Sequence, residues 1–391
     1  MIEALCNEPF VINNLSEAGD TKLLHSLLNQ IKLHESQNGM LLIDCGEAAT
    51  VARFLTAYLA LIAKGTCKVT GGPRLLQRPM KALVDSLNNM GCQIKYTGEE
   101  GCLPLIIKPS HICKNEVFID TSHSSQFASA LMLCAPAFPG GLTITTSPVI
   151  ASKPYLNMTA SLMSYFGVEV KQADNVYTIP QQSYKPRDIT IEADWSAASY
   201  WYELAALAKD AEISLKGLYK SSLQGDSALV SLFENVGVST IFNNEGVTIS
   251  KCPCKTEMLE YNFIHTPDIF PAALVACALL NQTARFGGLQ NLRLKESDRL
   301  QAVLDELRPF GVNSYFDACK CQLLLGKNYI TIPLKNHVVK TYNDHRIAMA
   351  FAMAAVCTGE VIIDDLLTVN KSYPDFWLHM QQAGFVLNDN I

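Results

Sequence analysis

Two short stretches gather charge where a folded chain usually avoids it. Five of the nine residues Asn291-Leu-Arg-Leu-Lys-Glu-Ser-Asp-Arg299 are charged, directly ahead of Leu300, Val303, Leu304 and Leu307 at helical spacing. In Thr341-Tyr-Asn-Asp-His-Arg346 a polar cluster runs straight into the apolar Ile347–Val356. N-capping accounts for Asp344 but not for the adjacent His345 and Arg346, and uncompensated charge at the start of a buried helix is costly. Arg53, Arg74, Arg78, Lys153 and Lys371 join Lys295, Arg299 and Arg346 at helix starts and strand-to-helix turns. Helix N-termini with Arg nearby offer backbone N–H groups, a dipole and bidentate donors to an anion. Any one of these cations alone reads as a solvated surface charge. As a set at equivalent positions they suit one or two small substrates bearing phosphate or carboxylate. The pairs Cys252-Pro-Cys254 and Cys319-Lys-Cys321 could suggest thiolate ligands, but alternation on a strand or hairpin is the simpler reading, and no metal is expected.

The elements that must position these groups come from an internal repeat. A short strand, a polar turn with a basic residue, an amphipathic helix and a closing glycine recur, and the glycines at 91, 167, 237, 311 and 384 are spaced 70 to 76 residues apart. Within the helices the apolar residues keep helical spacing, as in Leu83, Leu87 and Met90. Each closing glycine suits a left-handed C-terminal cap. Between these helices lie others apolar nearly all round, predicted at Thr50–Ala63, Ser125–Ala135, Ala197–Ala208, Ile269–Leu280 and Ile347–Cys357. Such helices belong in a buried core. A weaker first copy, Val11-Ile-Asn-Asn-Leu through Asp20-Thr-Lys-Leu-Leu, makes six units of one inner and one outer helix each. Six are too many for one core, so the reading is α/β with two domains of three units, 1–192 and 193–391. Only 13 residues separate Met1 from Asn14, where later copies need 18 (Arg53 to Gly71) or 23 (Ser124 to Ser147), so the first inner helix reads as lacking its beginning.

Composition sets the outer limits. At 391 residues with 49% hydrophobic and 17% charged residues, the chain can bury large cores and is not disordered. The net charge of -6 argues against nucleic acid or an anionic membrane as a partner. Apolar runs such as Phe54–Ala63, Ala130–Phe138 and Ala272–Leu280 fall short of the roughly 18 residues a bilayer span needs. No basic leader follows Met1, and the odd number of Cys residues, 13, reads as reduced thiols in a cytoplasmic protein.

At these charged stretches the chain resembles the 5-enolpyruvylshikimate-3-phosphate synthase family. Lys295-Glu-Ser-Asp-Arg299 and Asp344-His-Arg-Ile-Ala-Met-Ala350 carry the likeness, with Ser124-Ser-Gln126, Ser152-Lys-Pro-Tyr155, Arg78-Pro-Met80, Gln224-Gly-Asp226 and Lys371-Ser-Tyr-Pro374 in order along the chain. The resemblance implies the two-domain enolpyruvyl transferase fold, an inside-out α/β barrel in each domain, with the active site in the cleft between them. It implies transfer of the enolpyruvyl group from phosphoenolpyruvate to the 5-hydroxyl of shikimate 3-phosphate, by a monomer, with no cofactor. It places Ser124, Ser125, Gln126, Ser152, Tyr155, Asn291 and Lys295 on shikimate 3-phosphate. Ala49, Arg78, Gln126, Arg299, Arg346 and Lys371 fall to phosphoenolpyruvate, with Arg53 and His345 in support. Asp268 would accept the hydroxyl proton and Glu296 would protonate the methylene carbon.

The chain departs from the family pattern twice. Met1-Ile-Glu-Ala-Leu5 aligns inside the first inner helix, past the Ser-Lys-Ser segment and Arg with which the family begins, and Lys22 lies in an outer helix and is no substitute. The expectation is weak or absent activity, with a non-catalytic, anion-binding remnant as the alternative. The related UDP-N-acetylglucosamine transferase is a poorer match, since it lacks Asp-His-Arg and commonly uses a loop Cys around Arg74–Arg78, where this chain has none. The second departure is Glu47-Ala-Ala-Thr50 in place of the usual Asn-Ala-Gly-Thr. The methyl of Ala49 should crowd a ligand longer than phosphoenolpyruvate and lower sensitivity to glyphosate. Glu47 puts a negative charge where an anion is expected, for which the sequence supplies no reason.

Overall fold

The computed structural model describes residues 1–34, 39–62, 64–327 and 337–388. Ala63, the last residue of the first predicted inner helix, lies outside the described residues. The chain forms two compact units, Met1–Ser16 with Asp20–Ile191, and Glu17–Gly19 with Glu192–Ile391.

The repeat is strand, inner helix, strand, outer helix, hairpin. Strand Leu41–Asp44 runs parallel to Cys67–Thr70, with Ile43 opposite Val69. The crossover between them is the inner helix Ala49–Ile62. The outer helix Lys81–Asn89 follows, and the hairpin Gln93–Tyr96 with Leu105–Lys108 returns antiparallel onto the second strand, Val69 opposite Leu105. The same four-strand order recurs in Glu116–Ile119, Leu142–Thr146, Val176–Ile179 and Lys171–Ala173, and again in Met258–Asn262, Thr283–Gly287, Gln322–Leu325 and Ser314–Asp317. A three-stranded version, Glu212–Lys216, Gly246–Lys251 and Val238–Phe242, and two short parallel pairs, Ile12–Asn13 with Ile189–Thr190 and Val338–Val339 with Ile362–Ile363, complete the set.

The inner helices are built from small apolar residues because they are buried all round. In the second unit Trp195–Leu207, Phe270–Leu279 and His345–Met353 pack on one another. In the first, Ala49–Ile62 packs on Gln126–Cys134, and the short helix Ile2–Leu5 lays Ile2, Ala4 and Leu5 against the same core. The outer helices bury one face only, as Leu83, Val84 and Leu87 do in Lys81–Asn89. All five closing glycines have positive φ, from 75° at Gly311 to 108° at Gly91, a region that residues with a Cβ rarely occupy. Two inner helices start earlier than apolarity alone indicates. Asp194 caps Ser196 N–H at 2.8 Å and Asp344 caps Arg346 N–H at 3.1 Å, so the helices begin at Trp195 and His345 instead of Ala197 and Ile347. All 13 cysteines are free thiols, and among the described residues no helix is long and apolar enough to cross a membrane.

Candidate active site

In the second unit the charged stretches converge on one buried guanidinium. Arg299 is the first residue of the outer helix Arg299–Leu307, whose N-cap Asp298 accepts from Gln301 N–H at 3.1 Å. Its side chain is 1% exposed and reaches three carboxylates. Nε and Nη2 donate to the two oxygens of Asp344 at 2.9 and 3.1 Å, Nη1 to Asp268 Oδ1 at 2.8 Å, and Nη2 to Glu296 Oε2 at 2.7 Å. Three more cations close the cluster. Lys295 Nζ lies 3.3 Å from Asp268 Oδ1, Arg346 Nη2 3.2 Å from Asp268 Oδ2, and Lys371 Nζ 3.1 Å from Glu296 Oε1. Four cations thus interlock with three carboxylates, two from one repeat and Asp344 from the next, which answers the desolvation cost that buried charge would otherwise carry.

The surroundings set the proton affinities. Burial works against the charged form of Asp268, but Arg346, Lys295 and Arg299 outweigh it and hold its carboxyl well below the usual carboxylate range. Asp344 is buried, yet Arg299 keeps it ionised too. His345 is pushed down to about 3, first by burial and then by Arg346, so it stands neutral beside the cluster. Asp226 moves the other way: burial and the negative charge of Asp268 raise its proton affinity, while Ser196 Oγ donates to its Oδ2 at 2.5 Å.

The backbone that delivers Asp344, His345 and Arg346 is bent into an uncommon shape. Tyr342 and Asn343 both have φ of 55°, the left-handed region that non-glycine residues seldom enter. The turn is braced from outside: Glu306 accepts from Tyr342 Oη at 2.8 Å and from Lys340 N–H at 3.2 Å, and Asp364 accepts from Thr341 N–H at 2.9 Å. Lys371 ends the 3-10 turn Leu367–Lys371, which packs on the helix His345–Met353. Asn291 is buried at the start of the turn Leu292–Leu294, four residues before Lys295.

In the first unit the predicted residues gather on inner-helix starts. Arg53 Nη1 donates to Gln126 Oε1 at 2.7 Å and to Ser124 Oγ at 3.4 Å, and its guanidinium carbon lies 4.9 Å from the centre of the Phe127 ring. Gln126 Nε2 donates to Thr50 Oγ1 at 3.0 Å. Arg53 and Thr50 therefore orient both ends of the Gln126 amide. Ser125 is buried at the N-cap of Gln126–Cys134, and Ala49 is 4% exposed at the first position of Ala49–Ile62. Ser152 and Tyr155 belong to the neighbouring turn. Ser152 takes φ of 55° as N-cap of Lys153–Tyr165 and accepts from Tyr155 N–H at 3.0 Å. Arg78 lies at the end of the 3-10 turn Leu75–Gln77, 7% exposed.

Sequence reasoning missed several members. Asp344 was legible as a cap, but its bidentate grip on Arg299, 45 residues away, was not. Glu306 and Asp364 carry no local signal at all. Gln224-Gly-Asp226 was legible as a motif, without the burial that explains Asp226.

The sequence profile of the EPSP synthase family, 3-phosphoshikimate 1-carboxyvinyltransferase, matches residues 1–380. The chain is 38% identical over 387 residues to the 3-phosphoshikimate 1-carboxyvinyltransferase of Bacteroides fragilis strain YCH46, covering 98% of this chain and 92% of that one. The enzyme of the same name from Idiomarina loihiensis is 32% identical over 402 residues, covering 96% and 91%. Among solved structures, EPSP synthase from Acinetobacter baumannii superposes with a TM-score of 0.74 at 21% identity, covering 98% of this chain and 92% of that one. The enolpyruvyl transferase NikO from Streptomyces tendae gives 0.71 at 14%, with coverage of 98% and 91%. The two structures establish the enolpyruvyl transferase fold, and the profile and the relatives establish more: the chain belongs to the EPSP synthase family.

Proposed function

We propose that this chain transfers the enolpyruvyl group of phosphoenolpyruvate to the 5-hydroxyl of shikimate 3-phosphate and releases phosphate. The observation that carries the reading is Arg299, buried and within hydrogen-bond distance of both Asp268 and Glu296. An addition to an enol phosphate needs a proton delivered to carbon and a proton removed from an alcohol, and two carboxylates in different electrostatic settings divide that labour. Asp268, held ionised, accepts the 5-hydroxyl proton as the oxygen attacks C2 of phosphoenolpyruvate. Glu296 delivers a proton to the C3 methylene, giving a tetrahedral intermediate. Elimination breaks the C2–O bond to phosphate, a methyl proton returns to Glu296, and the proton taken up by Asp268 leaves with the phosphate.

The cations do two jobs in this reading. Arg78, Arg299, Arg346 and Lys371 hold the phosphate and carboxylate of phosphoenolpyruvate and stabilise the charge of the intermediate. The substrate anions also compete with Asp268 and Glu296 for those cations. Each cation drawn to substrate loosens its hold on the carboxylate it leaves, Arg299 and Lys371 being those that face Glu296. Ser124, Ser125, Gln126, Ser152, Tyr155, Asn291 and Lys295 hold shikimate 3-phosphate, Gln126 reaching phosphoenolpyruvate as well, with Arg53 fixing the Gln126 amide and neutral His345 seating Arg346. The 13 free thiols suit a reducing cytoplasm.

Phosphate release on mixing both substrates, absent when either is omitted, tests the reading. Glu296→Gln should cut that rate by about 10²–10⁴-fold while the fold is retained. Release that survives the substitution would remove Glu296 from the chemistry.

A further inference from the structure

The carboxylate of Glu47 has a definite place in the fold. It lies between an inner-helix start and the turn that carries Arg78. Its Oε2 accepts from Leu75 N–H at 2.8 Å and its Oε1 from Arg74 N–H at 3.3 Å, so both oxygens engage successive amides at the start of the turn Leu75–Gln77. The turn then passes the constraint on, because Arg78 N–H donates to Leu75 O at 3.1 Å. From the other side, Gly72 N–H donates to Gly46 O at 2.7 Å, next to Glu47 in the chain.

The space for this contact exists because residue 72 has no side chain. A Cβ on Gly72 would lie 2.2 Å from Glu47 Oε1 and 2.7 Å from its carboxyl carbon. The Gly72 backbone itself is not in the left-handed region, so the position would tolerate a side chain if Glu47 were elsewhere. Gly72 and Glu47 are therefore one device, in which the carboxylate fills the volume of the missing side chain.

We infer that Glu47 is a positioning residue for phosphoenolpyruvate binding: its carboxylate, seated over Gly72, caps the Arg74–Leu75 amides and sets Arg78 at the anion. The inference rests on the proposed grip of Arg78 on phosphoenolpyruvate. It gives Glu47 a backbone partner, so that its charge is directed into the turn. It also ties the turn of Arg78 to the segment that holds Ala49, two residues after Glu47.

The test is steady-state kinetics on Glu47→Ala, Glu47→Gln and Gly72→Ala beside the unaltered chain. Gly72→Ala is the sharper variant, since it expels the carboxylate and leaves Glu47 in the sequence. Glu47→Ala and Gly72→Ala should each raise KM for phosphoenolpyruvate on the order of tenfold, with kcat within about twofold, as loss of uniform binding requires. KM for shikimate 3-phosphate should not move. Glu47→Gln should fall between, because the amide oxygen still accepts one of the two N–H groups. An unchanged KM for phosphoenolpyruvate in both Glu47→Ala and Gly72→Ala overturns the inference, and so does a parallel rise for both substrates with a lowered Tm. No turnover by the unaltered chain defeats the reading of function itself and the inference with it. Turnover with unmoved variants defeats the inference alone.

Discussion

The two units hold their basic residues by different means. In the second unit Arg299, Arg346, Lys295 and Lys371 are locked to Asp268, Glu296 and Asp344, charge against charge in a largely buried setting. In the first, Arg53 donates to an amide and a hydroxyl and lies over an aromatic face, and both carboxylate oxygens of Glu47 accept from backbone amides. The difference separates two tasks. A neutral framework fixes where a ligand sits. A charge network also controls protons, because each carboxylate's affinity for a proton depends on which cations face it. On the proposed reading, protons would move in the second unit and the first would orient substrate.

The largest effect should come from removing the hub of the network. Arg299→Met leaves three carboxylates without their shared partner, and breaking a buried ion pair from one side costs about 3–5 kcal/mol. Denaturant unfolding should show a loss of that order, and phosphate release should fall below detection. Arg299→Lys keeps the charge but not the fork that spans Asp344 and Asp268, and it should recover only part of the stability. Full recovery by Lys would mean that charge alone, not the bidentate geometry, holds the cluster.

A smaller effect follows from His345. Its folded pKa, at about 3, lies below the unfolded value of about 6.5, so the unfolded chain binds more protons between those limits and stability falls as pH drops through that window. The loss between pH 7.5 and pH 5 should be on the order of 2 kcal/mol from this residue. His345→Asn should flatten the pH dependence of the unfolding free energy over that range. An unchanged slope would mean that His345 titrates elsewhere.

The neutral half should respond more mildly. Gln126→Ala removes the amide that Thr50 and Arg53 orient, and each neutral hydrogen bond contributes about 1 kcal/mol. The stability change should stay near that figure, while KM rises for both substrates. A loss as large as that of Arg299→Met would erase the contrast between the units. Smallest in stability terms is Ala49→Gly, which removes a methyl at the first position of its helix. It should increase inhibition by glyphosate several-fold, at a stability cost of about 0.5–1 kcal/mol for Gly in place of Ala in a helix. Unaltered inhibition would show that the methyl does not face the ligand.

Much of this arrangement was legible in the sequence because it is local. The repeat could be read from closing glycines and helical spacing, and the family likeness from contiguous motifs such as Lys295–Arg299 and Asp344–Ala350. The inner-helix starts were misplaced by two residues at Asp194 and Asp344, where a cap outweighs apolarity in setting the boundary. What stayed hidden depends on contacts between distant positions. Glu306 and Asp364 brace a strained turn from 23 to 36 residues away. The carboxylate of Glu47 matters only because residue 72 is glycine, and neither residue signals the other without the fold. The same holds for the proton affinity of Asp268, which follows from burial and from cations 27 to 78 residues distant.

In the proposed reaction one chain joins two small anions through the Asp268–Arg299–Glu296 cluster. Continuous measurement of phosphate release with phosphoenolpyruvate and shikimate 3-phosphate tests it most directly. Release should saturate in both substrates, vanish when either is left out, and fall by at least about 10²-fold in Glu296→Gln and in Asp268→Asn with Tm retained. Release that ignores either substitution, or none from the folded chain with both substrates present, would contradict it.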